Sequence, residues 1–145
     1  MSDDDIRQLL ADRAIEQVEP DPETAAEELV VARSHLTSAE LISDQDPSGA
    51  FALGYDAMRK AISAHMRARG YRVTKGPGHR FRTGRYALAA LDGLGAKEHV
   101  EAFDDLRRLR NQSEYEALSV ESDEVAESLA RAHALVDVIE EDLAP

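Results

Sequence analysis

Apolar residues recur at helical spacing along almost the whole chain. Ile6, Leu9, Leu10, Ala14, Ile15 and Val18 predict a first helix over residues 2–18, opened by Ser2 and Asp3 to Asp5 and broken by Pro20 and Pro22. A second helix is expected from Asp21 or Thr24 to Ile42, with Leu29, Ala32, Leu36 and Ala39 as its stripe, widened by Val30 and Val31. SDQDPSG, residues 43–49, reads as a turn. A third helix follows from Pro47 or Ser48 to Arg69. Phe51, Tyr55, Met58, Ile62 and Met66 form its core face, Arg59 lies beside that face, and Gly70 is the expected C-cap.

YRVTKGPGHR, residues 71–80, reads as a basic, mobile connection, and residues 71–74 are the only strand candidate. A shorter helix is expected over 82–91, with Thr83 as N-cap and Gly93 and Gly95 as its end. A long helix over 97–118 and a last helix over 122–143 complete the pattern; the last carries Val125, Leu129, Ala132, Val136, Ile139 and Leu143 on one stripe. There is no repeat at solenoid period. Five to six helices joined by short turns predict an all-α antiparallel bundle, one domain over residues 1–145.

One position breaks the pattern. On the long helix Phe103, Leu106 and Ala117 share a face, with Val100, Leu109 and Leu118 at its edges, yet Arg110 falls near the middle. A charge there needs a partner, because burial without one is costly. Either a carboxylate meets it, Glu114 one turn on or an acid of another helix, or it lines a polar cleft.

Charge sharpens the picture. The net charge is −12, which disfavours unspecific nucleic-acid binding. Yet residues 57–91 hold nine of the 17 Lys and Arg and none of the 29 Asp and Glu. Arg59, Lys60, Arg67, Arg69, Arg72, Lys75, Arg80, Arg82 and Arg85 make up this segment, together with His65 and His79. It either faces a polyanion or docks on an acidic face of the same chain or of a second copy. The absence of Cys excludes disulfides and thiol chemistry. No apolar run approaches the roughly 20 residues that span a bilayer, and the start is acidic where a signal peptide would be basic. A soluble, cytoplasmic protein is expected, without membrane contact.

Catalytic motifs are sparse. The five histidines, His35, His65, His79, His99 and His133, show none of the spacings of a metal site, so no metal and no cofactor are expected. LDGLGAK and KGPGHR carry glycines near basic residues but match no phosphate loop; the second is the better candidate for touching phosphate. No serine sits in a nucleophile elbow.

The string Arg110-Asn111-Gln112-Ser113-Glu114-Tyr115 resembles the signature of the HEPN superfamily: an Arg, a spacer of four to six residues, then a His, often with Asn directly after the Arg. Its place late in the penultimate helix, and the helix GYDAMRKAISAHMRARG, are also similar, and the resemblance covers about residues 24–143. It implies a homodimer with the motif in a shared cleft, action on RNA without metal as in endoribonuclease toxins, and a cognate antitoxin or other protein partner. Arg110, Asn111 and Tyr115 would be the catalytic group, and Arg59, Arg72, Lys75, His79 and Arg80 the nucleic-acid contacts. The departure is Tyr115 at the His position. Arg is a bidentate phosphate clamp, but a phenol of ordinary pKa about 10 is a poorer base than imidazole. Arg110 and Tyr115 also point about 140° apart on a regular helix, so they converge only through distortion or across a two-fold axis. Binding is therefore better supported than cleavage, and a non-catalytic protein- or nucleotide-binding module is the alternative. The pairs Arg59/His65 and Arg72/His79 satisfy the same loose spacing.

Overall fold

The computed structural model describes residues 3–116 and 122–145, with side chains described for 3–109 and 123–145. Among the described residues, six helices and one two-stranded sheet follow in the order α1 (Asp3–Ala11), β1 (Ile15–Gln17), α2 (Pro22–Ile42), α3 (Pro47–Arg69), β2 (Tyr71–Val73), α4 (His79–Ala90), α5 (Lys97–Glu116) and α6 (Ser122–Leu143). The all-α reading holds.

The helix ends follow local chemistry. Asp21 and Asp46 cap α2 and α3, accepting from the N–H of Thr24 at 3.1 Å and of Gly49 at 3.0 Å, each ahead of a proline in the first turn. Gly70 closes α3 at φ +86°, a left-handed conformation that favours glycine, and its N–H bonds back to the α3 carbonyls.

Two expectations need correction. The first helix ends at Ala11, not Val18, because Arg13 turns left-handed (φ +58°) and redirects the chain. Residues 15–17 then pair antiparallel with 71–73, placing Ile15 opposite Val73, Glu16 opposite Arg72 and Gln17 opposite Tyr71. Ile15 and Val73 are buried by this pairing. The apolar residues that suggested one helix thus serve a short helix and a strand. The second correction concerns α4, which begins at His79, three residues before the expected start. Its N-cap is Gly78, while Thr83 lies inside the helix and donates to the His79 carbonyl at 2.9 Å. The gap expected between the last two helices, residues 119–121, falls outside the described residues.

α2 and α3 run antiparallel across their four-residue turn, and α6 covers both. Arg33 of α2 reaches Glu140 and Asp137, and Glu40 reaches His133, so α2 and α6 are antiparallel. Gly54 approaches Leu129 while His65 meets Asp142, so α3 and α6 run parallel. The core is built on α3, whose Tyr55 stacks on Phe103 of α5 at 5.2 Å between ring centres. The strand pair and the first turn of α4 close over the outer side of α3, and this arrangement creates the cavity described next.

Candidate functional site

A cavity of about 520 Å³ opens between α3, the strand pair and the start of α4. Arg59, Arg72, Lys75 and His79 all line it, so four of the five expected nucleic-acid contacts come together. Arg80 points elsewhere: its guanidinium lies over the Tyr55 ring at 5.7 Å from the centroid. Glu19, Asp21, Ser63, Tyr71 and Thr83 also reach the cavity, and sequence spacing gave no sign of them. They come from four separate elements, so only the fold could unite them.

The cations around this cavity are not equally available. Arg67, Arg69, Arg72 and Arg85 meet Glu28, Asp142, Glu16 and Asp12 at 3.0, 3.2, 2.5 and 3.4 Å. For these four the basic segment docks on acids of its own chain. Arg82 binds backbone carbonyls instead. Arg59 has one acidic neighbour among the described residues, Asp56 at 3.6 Å, and its Nε is buried without a hydrogen bond. Lys75 and the His79 ring have no ion-pair partner among the described residues. Partial desolvation of the otherwise exposed His79 ring lowers its pKa, and the guanidiniums of Arg82, Arg59 and Arg80 lower it further. The neutral form of His79 is therefore favoured beside these guanidiniums, an environment that a bound anion would relieve.

A model of the HEPN domain matches residues 26–142. The chain belongs to the HEPN family. No curated protein and no solved structure matches it. In this HEPN chain the residues expected to be catalytic, Arg110, Asn111 and Tyr115, lie on helical backbone in the last turns of α5, with side chains outside the described residues.

The HEPN fold holds two further polar features. His65 is 1% exposed. Its Nδ1 lies 2.9 Å from the Tyr86 hydroxyl and its Nε2 2.7 Å from Asp142, which also accepts from Arg69 at 3.2 Å. Burial lowers the His65 pKa against the opposing pull of Asp142. Burial works against ionisation of Asp142, but the hydrogen bonds from His65 and Arg69 prevail and lower its pKa. The second feature is a groove of about 540 Å³ between α5 and α6. Phe51, Leu106 and Leu109 contribute its apolar lining, and Glu98, Glu101, Asp105, Glu124 and Glu127 make it acidic. Arg131 answers one of them, binding Glu98 at 2.7 Å and lowering its pKa. Among the described residues no three His, Asp or Glu side chains are grouped as metal ligands would be, and no helix is long and apolar enough to cross a membrane.

Proposed function

We propose that this HEPN-domain protein binds RNA in the cytoplasm as a homodimer, gripping the phosphate backbone at the cavity lined by Arg59, Arg72, Lys75 and His79. The observation that carries the reading is the convergence on one cavity of Lys75 and His79, neither with an ion-pair partner among the described residues, and of Arg59, whose Nε is buried without a hydrogen bond beside Asp56. Arg110 and Asn111 supply a second phosphate contact in the dimer cleft. Tyr115 stacks on a base or donates a hydrogen bond there, and metal-independent cleavage is weak for lack of an imidazole base.

The test is anisotropy of a labelled single-stranded oligoribonucleotide across a KCl series in EDTA. Binding should weaken steeply with salt; Lys75→Ala should reduce the log–log slope by about 0.7, one phosphate contact on a single strand, and Arg59→Ala, whose charge Asp56 partly offsets, by less. Arg110→Ala should abolish any residual cleavage. Absence of salt-sensitive binding sinks the reading.

The acidic α5–α6 groove supports a second reading. Its carboxylates repel RNA but suit a basic, partly apolar segment of a protein partner, such as a cognate antitoxin. A stoichiometric protein complex that survives Lys75→Ala but not Glu101→Lys, from a chain that binds no RNA, favours that reading.

A further inference from the structure

We propose that Arg82 is the positioning residue of the phosphate cavity, a latch that holds the 74–79 loop so that Lys75 and His79 face Arg59. This rests on the RNA-binding reading of that cavity and adds how the site is held in shape.

Arg82 belongs to the basic segment by sequence, yet its hydrogen bonds run to its own chain. One terminal nitrogen donates to the Pro77 carbonyl at 2.5 Å. The other donates to the Thr74 carbonyl at 2.8 Å and the Gly76 carbonyl at 3.3 Å. A single planar fork thus gathers three carbonyls from a five-residue stretch that contains a proline and two glycines at φ +125° and +81°. Such a stretch is conformationally costly to fix, because glycine loses more freedom on ordering than any other residue. Lys75 lies inside this stretch and His79 directly follows it, and both line the cavity. Arg82 stands one turn into α4, so it ties the loop to the rigid helix. Lysine cannot replace it: an ammonium is a point charge and lacks the fixed fork.

The arrangement separates charge from geometry, and so does the test. Arg82→Lys keeps the charge and removes the fork. Two readouts apply to the full chain: amide hydrogen exchange of residues 74–79, and binding of the labelled oligoribonucleotide across the KCl series. Exchange in the loop should quicken about tenfold or more, and affinity should fall about tenfold with the salt slope unchanged, because no phosphate contact is removed. Lys75→Ala should instead lower the slope. Wild-type affinity in Arg82→Lys, or a slope that falls as in Lys75→Ala, overturns the proposal, since Arg82 would then be dispensable or a direct phosphate contact. Unchanged loop exchange overturns it whatever the RNA result. A wild-type chain that binds no RNA defeats the phosphate reading instead, and exchange then decides the latch by itself. If Arg82→Lys loses its helical circular dichroism, Gly76→Ala takes its place. Its new Cβ meets nothing within 4 Å, so it strains the loop backbone alone and should quicken exchange in the same residues.

Discussion

Two histidines leave the α3 region in opposite conditions. His65 is closed: Tyr86 and Asp142 occupy both ring nitrogens, Arg69 completes the carboxylate, and α3, α4 and α6 are tied together. His79 is open: it lines a cavity with Arg59 and Lys75, and no acid answers it among the described residues. Both residues follow an arginine at the loose spacing of the family signature, Arg59 before His65 and Arg72 before His79. Spacing cannot tell them apart, but hydrogen-bond satisfaction can. A buried polar group with every partner in place stabilises one fold, whereas cations left unanswered around a cavity are poised for a ligand.

The largest effect that would sharpen this contrast is on stability. His65→Ala leaves the Tyr86 hydroxyl and Asp142 without their shared partner and opens a hole in a packed region. It should cost about 3 kcal/mol in urea unfolding. His79→Ala, at an exposed position, should cost under about 0.5 kcal/mol while weakening RNA binding. Equal costs would break the comparison.

The second effect is on pH. The folded-state pKa of His65 lies below its unfolded value near 6.5. Below pH 6.5 the unfolded chain therefore takes up a proton that the folded chain refuses, and stability falls as pH drops through that region towards the depressed pKa. Urea midpoints should decline between pH 7.5 and 5.5, and less so in His65→Leu. His79 is also depressed in the free protein, but an arriving phosphate favours its charged form. RNA affinity should thus rise as pH falls over the same interval, and His79→Gln should flatten that rise. Acid loosening the fold while tightening the complex is the signature of one closed and one open histidine.

Much of this was legible in the sequence, and the failures have physical causes. The stripes of α2, α3 and α6 set their spans because burial on one face enforces a helical period. Asp21 and Gly70 marked helix ends through local hydrogen bonding alone, whereas the Asp46 cap emerged only in the fold. The β1–β2 pair was half seen: residues 71–74 suggested a strand, but its partner lies more than fifty residues away and imitates a helix in its apolar spacing. The charge run at 57–91 was visible, whereas its division was not. Whether Arg72 meets Glu16 and Arg82 meets carbonyls depends on register and loop path, which composition does not encode. The closed network escaped notice for the same reason, since Asp142 lies 77 residues from His65.

The smallest expected effect tests that division within the basic segment. Arg72 lines the cavity, but it sits opposite Glu16 on the strand pair, and the ion pair is more than half exposed on the arginine side, at 63%. Exposed pairs contribute about 0–1 kcal/mol, because water screens them and side-chain entropy opposes them. Arg72→Ala should shift the urea midpoint by an amount equivalent to under about 0.5 kcal/mol. Its effect on RNA should also be small: Glu16 already offsets the charge, so the salt slope should drop by less than in Lys75→Ala. Glu16→Gln supplies the converse. Freed from its acid, Arg72 should become a phosphate contact, and the salt slope should steepen by up to about 0.7. If Arg72→Ala instead weakens binding as much as Lys75→Ala does, cations paired within the chain serve the ligand as well as unpaired ones, and the distinction drawn from partner satisfaction fails at this site.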